Sequence, residues 1–429
     1  MGEEKLAGPA LVCYNKTMDN DKRFVTGLDV GTENVRAVVA TVTKEGAVAI
    51  VGYNEGKSAG MRKGVPANLT GPASSIDKML GEAERMGGIE VRSAYVSING
   101  SQILSTRTEG MIAVGTVEHE IDDKDLDRVE DVAVTGRIPA NRDVLDVVPL
   151  EYALDGQGGI KDPIGMSGAR LEIRANVISA LTPNCENLKK TTMAADVEAK
   201  RLIPTAVAAA RAVLTERQKE NGVAVIDMGA ATTSIAVYEE GDLQYVGVVP
   251  AGSNNITNDL AIVLAISPDM AEEIKTRFVT GGFGSDKNPL IRIGKEGKAE
   301  RTFERKEVEE VVKARLDEIF SEVRKKLKTA KYDQRLPEGI ILTGGGAKMR
   351  DIEVFAKETL EAAVKIGVPQ SLGGVSEAVE KPEYSVAVGL ALLAADQINL
   401  DMPSTTKKSK KPIKTLKAPS FFKKLFSKF

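Results

Sequence analysis

The chain of 429 residues contains no tryptophan, one histidine and only two cysteines, Cys13 and Cys185. One histidine and two cysteines far apart in sequence cannot supply the clustered ligands of a zinc site, so both cysteines are interpreted as reduced thiols. The chain also lacks the roughly 18 consecutive apolar residues of a spanning helix and the basic, then apolar, start of a signal peptide. These absences predict a cytoplasmic protein that is neither secreted nor membrane-spanning.

Charge is distributed unevenly along the chain. Hydrophobic residues make up 42% and charged residues 28%, as in ordinary folded proteins, and the formal net charge is −3. The segment from Ser404 to Phe429 carries nine lysines and no acidic residue, so the rest of the chain has a net charge of −12. An acidic body argues against a nucleic-acid partner. A basic tail that also holds four of the ten phenylalanines favours an anionic membrane surface.

The order of predicted elements indicates a mixed α/β protein of at least two domains, because 429 residues exceed one compact core. Residues 1–22 are polar and aperiodic and are predicted to be disordered, and residues 401–419 are predicted to form a solvated linker. Helices are predicted at Asn184–Glu198, Pro204–Glu216 and Glu304–Ala330, the last with apolar residues along one face.

One short pattern occurs twice, as GLDVGTENVRAVVA from Gly27 and as VIDMGAATTSIAVY from Val225. Each copy places an aspartate, Asp29 or Asp227, at a strand end before a turn of small and hydroxyl-bearing residues. Backbone N–H groups of such a turn can hold phosphate, and the carboxylate can hold Mg²⁺ through water. The two turns are predicted to clamp one polyphosphate through Gly31, Thr32, Glu33, Asn34, Gly229, Ala230, Ala231, Thr232 and Thr233.

A third glycine cluster, Gly344, Gly345 and Gly346, follows the apolar strand GIILT. Glycine lets a backbone approach a flat base or a ribose closely. Each of the three turns alone could be an ordinary β-turn, but three in this order favour a nucleotide-binding cleft between two similar halves.

The arrangement resembles the ATPase superfamily of actin, the heat-shock chaperones and the sugar kinases, from about Phe24 to Ala395. Within it, DVLDVVPLEYALDGQGGIKDPIGMSGARLE (Asp143–Glu172) is similar to a subdomain of the FtsA family of bacterial cell-division proteins. The strings ITNDLA, AEEIK, VKIGVP and EYSVAVGLALL are also similar to that family. The resemblance implies ATP or ADP with Mg²⁺ as cofactor, and adenosine contacts from Met349 of GIILTGGGAKM and from Lys275 of AEEIK.

The resemblance further implies an α/β, bilobed actin-like (ribonuclease H-like) fold with an FtsA-type inserted subdomain. Two helices, Lys200–Leu214 and Tyr384–Ala395, would link the lobes. The implied subdomains are IA (23–105, 181–204 and 383–400), the inserted SHS2-type IC (106–180), IIA (205–255 and 339–382) and the helical IIB (256–338).

Two positions depart from the superfamily pattern. Ala230 and Ala231 stand in the second turn where relatives commonly have glycines, which would weaken phosphate binding if either residue had a positive φ and would be harmless otherwise. Ile203 precedes Pro204, where hydrolytic relatives often carry Glu or Gln to orient the attacking water. The sequence therefore predicts nucleotide binding with slow or absent hydrolysis and no catalytic residue.

The C-terminal SFFKKLFSKF, residues 420–429, has its apolar residues at the spacing of one helical face. Such a helix is too short to be stable in water but can fold on a membrane, with its aromatic face in the acyl boundary and its lysines on anionic headgroups. It resembles the membrane-targeting sequence of the FtsA family. The predicted lipid-contacting residues are Phe421, Phe422, Lys423, Lys424, Leu425, Phe426, Lys428 and Phe429.

The resemblance implies self-association into filaments, recruitment of downstream division proteins, and docking of the C-terminal peptide of the tubulin-like protein FtsZ on subdomain IIB. Arg301, Arg305 and Arg315 could receive acidic groups of that peptide, although each could equally be a solvated surface charge. Two alternatives remain: a PilM-like pilus-assembly adaptor with the same fold, and a small-molecule kinase or chaperone-type ATPase. The amphipathic tail favours the division protein at the cytoplasmic face of the cell membrane.

Overall fold

The computed structural model describes residues 23–278, 289–293 and 301–401. The predictions for residues 1–22 and for the tail after residue 401 lie outside this part of the chain.

The strands are β1 (Arg23–Val30), β2 (Asn34–Val42), β3 (Val48–Lys57), β4 (Met61–Arg62), β5 (Val65–Pro66), β6 (Ser93–Ile98), β7 (Leu104–Ala113), β8 (Arg142–Leu154), β9 (Gln157–Ile160), β10 (Arg170–Leu181), β11 (Glu198–Pro204), β12 (Val223–Met228), β13 (Thr233–Glu239), β14 (Asp242–Val249), β15 (Leu290–Ile293), β16 (Arg301–Glu304), β17 (Ile340–Thr343), β18 (Val364–Ile366) and β19 (Gly373–Gly374). The α-helices are α1 (Thr70–Gly87), α2 (Asp123–Val134), α3 (Thr182–Met193), α4 (Thr205–Val213), α5 (Glu216–Asn221), α6 (Ser253–Val263), α7 (Pro268–Phe278), α8 (Arg305–Thr329), α9 (Ile352–Leu360) and α10 (Ser385–Asp401).

Two β-sheets, in which the central strands pair in the same way, form the two lobes. In lobe I the strand order is β11-β6-β1-β2-β3-β19, with β2 antiparallel and β6 parallel to β1. In lobe II the order is β14-β13-β12-β17-β18, with β13 antiparallel and β17 parallel to β12. Asp29 and Asp227 lie near the ends of the corresponding strands β1 and β12, so the predicted repeat of two like-folded halves is confirmed.

A separate four-stranded antiparallel sheet, β7-β10-β8-β9, lies in the chain between strands β6 and β11 of lobe I and is covered by α2; we call it the insert. Asp122 caps α2, because its carboxylate accepts from the N–H groups of Lys124 and Asp125. The insert contacts lobe II, where Arg107 Nη2 donates to Gln244 Oε1 at 2.8 Å and Asn176 Nδ2 donates to the Leu243 carbonyl at 3.0 Å.

Helices α4 and α10 cross between the lobes at very short distance. Helix α4 is TAVAAARAV, in which small side chains let the backbones approach. A Cβ on Gly389 of α10 would collide with the Ala208 carbonyl oxygen, so only glycine fits at this crossing. Arg211 and Asp396 join the same two helices through a bidentate ion pair, with nitrogen–oxygen distances of 2.7 and 2.9 Å. This crossing fixes how the two lobes meet.

The predicted helix boundaries needed two corrections. Lys200–Pro204 is the end of strand β11 rather than the start of a linking helix, because this segment pairs in parallel with β6; α4 begins only at Thr205. The helix predicted at Asn184–Glu198 is α3, which ends at Met193 before β11 begins. By contrast, α8 agrees with the predicted Glu304–Ala330 to within one residue at each end, and it buries Val308, Val312, Ile319 and Val323.

Candidate functional site

A cavity of about 560 Å³ lies between the two lobes. The structure brings fifteen of the sixteen predicted nucleotide-binding residues to its wall, from both repeated turns, from the third glycine cluster and from α7. The exception is Thr233, which is fully buried and donates through Oγ1 to the Ala251 carbonyl at 2.8 Å, so it supports the second turn from behind. The lining residues are Asp29, Gly31, Thr32, Glu33, Asn34, Asp227, Gly229, Ala230, Ala231, Thr232, Lys275, Gly344, Gly345, Gly346 and Met349.

The two repeated turns are closed by equivalent backbone hydrogen bonds. The Gly31 N–H donates to the Asn34 carbonyl at 3.1 Å, and the Gly229 N–H donates to the Thr232 carbonyl at 2.9 Å. A Cβ on Gly31 would lie 2.6 Å from the Asn34 carbonyl oxygen, which is too close for any other residue. The sequence repeat therefore corresponds to two equivalent tight turns.

Ala230 and Ala231 are compatible with the second turn. Neither is among the described residues with positive φ, so their Cβ atoms cause no backbone strain. The N–H groups of Ser253 and Asn254, at the start of α6, donate to the carbonyls of Gly229 (3.0 Å) and Ala230 (2.7 Å). These bonds turn the carbonyl side of the turn toward α6 and fix its orientation.

Asp29 is held at the end of β1 by the neighbouring strand β6. The Ser97 hydroxyl donates to Asp29 Oδ1 at 2.8 Å and accepts from the Val30 N–H at 2.9 Å. Burial raises the pKa of Asp29, while Arg36, whose Nη1 lies 4.0 Å from Asp29 Oδ2, acts in the opposite direction. Arg36 lines the cavity; it lies within the first repeated pattern, but the second copy has Ser234 at the corresponding position, so the repeat does not single it out.

Asp227 faces Asp29 from lobe II. Burial, and then the nearby negative charge of Asp29, raise the pKa of Asp227 to about 7. Two buried carboxylates that repel one another are expected to bind a cation, since a cation offsets both costs. Among the described residues no group of three or more His, Cys, Asp or Glu side chains could enclose a metal, so the remaining ligands would have to come from water or from a bound molecule.

Two side chains bridge the cleft between the lobes. Glu33 of lobe I accepts from Asn254 Nδ2 of lobe II at 3.0 Å and pairs with Lys57 at 2.6 Å. Asn99, at the end of β6, donates through Nδ2 to Thr232 Oγ1 at 2.8 Å. Local sequence does not identify Asn254 or Asn99, because a single asparagine beside a strand or helix end carries no local signal.

The third glycine cluster lies beside the second turn. Gly344 has a φ of +87°, and a Cβ there would collide with Asp227 Oδ1, so the close approach requires glycine. The cluster continues into a 3₁₀ turn, Gly345–Lys348, and α9 starts only at Ile352. Lys348 and Glu383 also line this side of the cavity and form an ion pair at 2.6 Å.

Lys275 of α7 reaches the same cavity although its side chain is only 6% exposed. Its Nζ lies 2.9 Å from Thr257 Oγ1 and 2.6 Å from Glu272 Oε2. Ile203, in contrast, is buried at the end of β11 and does not line the cavity.

The three arginines predicted to meet a partner peptide have different surroundings. Arg301 is exposed at the start of β16, whereas Arg305 is 7% exposed with its Nη1 3.9 Å from Glu309 Oε1. Arg315 makes a bidentate contact with Asp259, at 2.5 and 3.0 Å. A peptide would reach Arg301 directly, and would reach Arg315 only by exchange with Asp259 or with Glu318, which accepts from Arg315 Nη1 at 2.5 Å.

Comparison with known structures defines the class of protein. The chain is similar to the PilM-PilN type IV pilus biogenesis complex (TM-score 0.64, 17% identity, covering 86% of this chain and 98% of that chain). It is also similar to MreB5 of Spiroplasma citri bound to ADP (TM-score 0.54, 14% identity, covering 88% and 98%). At these identities the likeness shows the fold alone, which is a two-lobed actin-like fold.

Sequence comparison then identifies the family. The family profile "Cell division protein FtsA" matches residues 224–389, and the profile "SHS2 domain inserted in FTSA" matches residues 100–179. Cell division protein FtsA of Pseudomonas aeruginosa is 35% identical over 376 residues, covering 86% of this chain and 89% of that protein. The Escherichia coli protein of that name is 32% identical over 381 residues, covering 86% and 90%. The chain belongs to the FtsA family of cell division proteins, and the predicted family and fold, with the FtsA-type insert, are confirmed.

No helix within residues 23–278, 289–293 and 301–401 is both long and apolar enough to cross a bilayer.

Proposed function

We propose that the chain binds ATP or ADP with Mg²⁺ in the cleft between its lobes. The observation that supports this most directly is the pair of buried carboxylates, Asp29 and Asp227, between two equivalent turns that line one cavity. A volume of about 560 Å³ is within the range of small-molecule sites. The turns would hold the phosphates through N–H and hydroxyl groups, and Met349, Lys275 and the third glycine cluster would contact adenosine.

The donor set fits Mg²⁺. This cation prefers oxygen ligands, keeps several waters and is commonly held by one or two carboxylates together with substrate phosphates. Asp29 and Asp227 would hold it through water, and the ion, once bound, would neutralise phosphate charge. The pKa values of both carboxyl groups are raised, and a bound cation would offset the cost of ionising them.

We expect hydrolysis to be slow or absent. Ile203 is buried away from the cavity, and an aliphatic side chain cannot orient an attacking water. A turnover well below about 1 per second is expected, which is under the usual range of enzymes. A rate near or above that value, in purified protein with Mg²⁺ and ATP, would contradict the proposal.

Family membership and the C-terminal sequence support a second part of the proposal. The chain would polymerise on the cytoplasmic face of the cell membrane at the division site, recruit further division proteins, and attach FtsZ filaments through their C-terminal peptide. One short tail helix binds a membrane only marginally, so a filament that presents many tails would bind far more firmly.

Vesicle sedimentation tests this anchoring role. The full chain and a chain ending at Pro419 are each mixed with anionic vesicles, with and without ATP and Mg²⁺. Attachment is expected for the full chain, to increase under conditions that give filaments, and to be lost on truncation. The double variant Phe421→Ser and Phe422→Ser is the matched control, since it removes apolar contacts and leaves every lysine in place. Undiminished attachment of the truncated chain would refute the anchor.

Titration with the FtsZ peptide tests the partner site. Arg301→Glu should weaken binding, whereas Arg305→Lys should have little effect because Arg305 is buried. Arg315→Gln is compared with Asp259→Asn, which removes one of the two carboxylate partners of Arg315, the other being Glu318. Asp259→Asn should strengthen binding if the peptide competes for that guanidinium. If neither change alters affinity, Arg315 is not part of the peptide site.

The pilus-adaptor alternative rests on the fold alone. The likeness to the PilM-PilN complex is at 17% identity, whereas the division proteins are 32% identical or more over most of the chain. The proposal therefore follows the division family.

A further inference from the structure

Asn99 crosses the cleft and contacts two residues of the opposite lobe. It follows β6 in lobe I, and its Nδ2 donates to Thr232 Oγ1 at 2.8 Å while its Oδ1 accepts from Ser234 Oγ at 3.1 Å. Asn99 and Thr232 line the cavity, and Ser234 is 2% exposed behind them. The Asn99 side chain therefore joins the two lobes, and what it does to Thr232 depends on which end of the amide, the oxygen or the NH₂ group, faces that residue.

The orientation of the amide follows from a backbone contact. The Gly100 N–H donates to Asn99 Oδ1 at 2.7 Å, and a backbone N–H can only donate, so the atom that it meets is the oxygen. The NH₂ group therefore faces Thr232. Because an NH₂ group only donates, Thr232 Oγ1 must accept, and its own proton remains available for another acceptor.

Thr232 belongs to the second of the two phosphate turns and lines the cavity between them. We propose that Asn99 is a positioning residue for the nucleotide: in the closed cleft it orients the Thr232 hydroxyl so that its proton is donated to a phosphate oxygen. This inference rests on the proposed nucleotide site and deepens it. Hydrogen bonds to charged groups are stronger than neutral ones, so the direction of this one proton affects affinity.

The same strand also serves the first turn. Ser97, two residues before Asn99, donates to Asp29 Oδ1 at 2.8 Å. The end of β6 thus contacts the carboxylate of one turn and the hydroxyl of the other. When the lobes separate, Asn99 leaves Thr232 and the hydroxyl is free to rotate, so phosphate affinity depends on closure.

A double-mutant cycle tests the proposal. The variants are Asn99→Ala, Thr232→Val and their combination, with Asn54→Ala as matched control, because Asn54 is another part-buried asparagine of lobe I whose Nδ2 lies 3.4 Å from the Met79 carbonyl. Affinity for ATP with Mg²⁺ is measured by calorimetry, and affinity for adenosine, which has no phosphate, by competition.

Thr232→Val should weaken ATP binding about tenfold or more, and Asn99→Ala about threefold to tenfold, the size expected for losing or misdirecting one hydrogen bond to a charged group. The double variant should bind ATP no more weakly than Thr232→Val, because Asn99 acts through that hydroxyl. Adenosine affinity should change less than twofold in Asn99→Ala, and Asn54→Ala should bind both ligands like the wild type.

Additive losses in the double variant, or an equal loss of adenosine affinity, would overturn the role of Asn99 while leaving the nucleotide site intact. Asn99→Asp provides a second test that preserves the shape of the side chain, since its carboxylate would draw the Thr232 proton toward itself. Wild-type ATP affinity in Asn99→Asp would also overturn the proposal. If the wild-type chain does not bind ATP, the proposed function itself fails, which the wild-type titration reveals separately.

Discussion

Replacing Asp227 by asparagine should stabilise the nucleotide-free protein, and should do so increasingly as pH rises. The pKa of Asp227 is raised from an ordinary 3.8 to about 7 by burial and by Asp29. A raised pKa means that the folded state holds its proton more tightly than the unfolded state. Ionisation of Asp227 therefore costs folding stability progressively between about pH 4 and pH 7, and the full cost applies above pH 7.

The size of the effect follows from the shift. About three pKa units correspond to about 4 kcal/mol at most, and about 2 kcal/mol of this should already be present at pH 5. Asp227→Asn removes this cost, so the difference in stability between variant and wild type should grow from pH 4 to pH 7 and then become constant. The asparagine amide can also change stability by an amount that is the same at every pH. Such an effect shifts the stability difference equally at all pH values and does not alter how it changes with pH.

Thermal or urea unfolding followed by circular dichroism is the suitable assay, because the chain has no tryptophan to report by fluorescence. Asp242→Asn is the control for a buried carboxylate outside the cleft; it should destabilise the protein, since it removes an ion pair of 2.9 Å with Lys161. A difference between Asp227→Asn and wild type that does not change with pH would refute the reasoning.

Three further outcomes are expected. Affinity for ATP with Mg²⁺ should fall about tenfold between pH 8 and pH 6, because the pKa of Asp227 is raised to about 7 and Mg²⁺ requires the ionised carboxylate. In Asp227→Asn the part of this fall that comes from Asp227 should be absent, and calorimetry at both pH values measures the difference. Gly389→Ala should destabilise the chain by about 1–3 kcal/mol in the same melting experiment, because the new Cβ would collide with the Ala208 carbonyl. The control Gly81→Ala, on α1 with open space around it, should be neutral or stabilising by up to about 1 kcal/mol. Gly344→Ala should weaken ATP binding at least tenfold in equilibrium titration, because its φ of +87° and its contact with Asp227 exclude a side chain.

Much of the cleft could be predicted from local sequence. The repeated sequence pattern, with an aspartate before each turn, predicts that the two turns are equivalent and that both face one cleft. The structure shows why: strands β1 and β12 occupy the same place in two similar sheets. Whether Ala230 and Ala231 fit the second turn depends on φ, which the sequence does not reveal and which the structure gives as compatible.

Other features depend on tertiary contacts that leave no local pattern. Arg36, Asn99 and Asn254 reach the cavity only because strands pair and lobes meet. The family resemblance predicts Lys200–Pro204 as the start of a linking helix, whereas its parallel pairing with β6, a contact that local sequence does not reveal, makes it the end of a strand. Arg305 is predicted as a partner contact, and its low exposure of 7% at the start of α8 is likewise a tertiary feature that the sequence does not reveal.

The central claim, that two equivalent turns hold a magnesium–nucleotide between the lobes, is tested most directly by titrating the purified chain with ATP in the presence of Mg²⁺ and again with the metal chelated. One saturable site per chain is expected, with an affinity at least tenfold weaker without the metal and in Asp29→Ala. Absence of saturable binding, or an affinity that depends neither on Mg²⁺ nor on Asp29, would contradict the account.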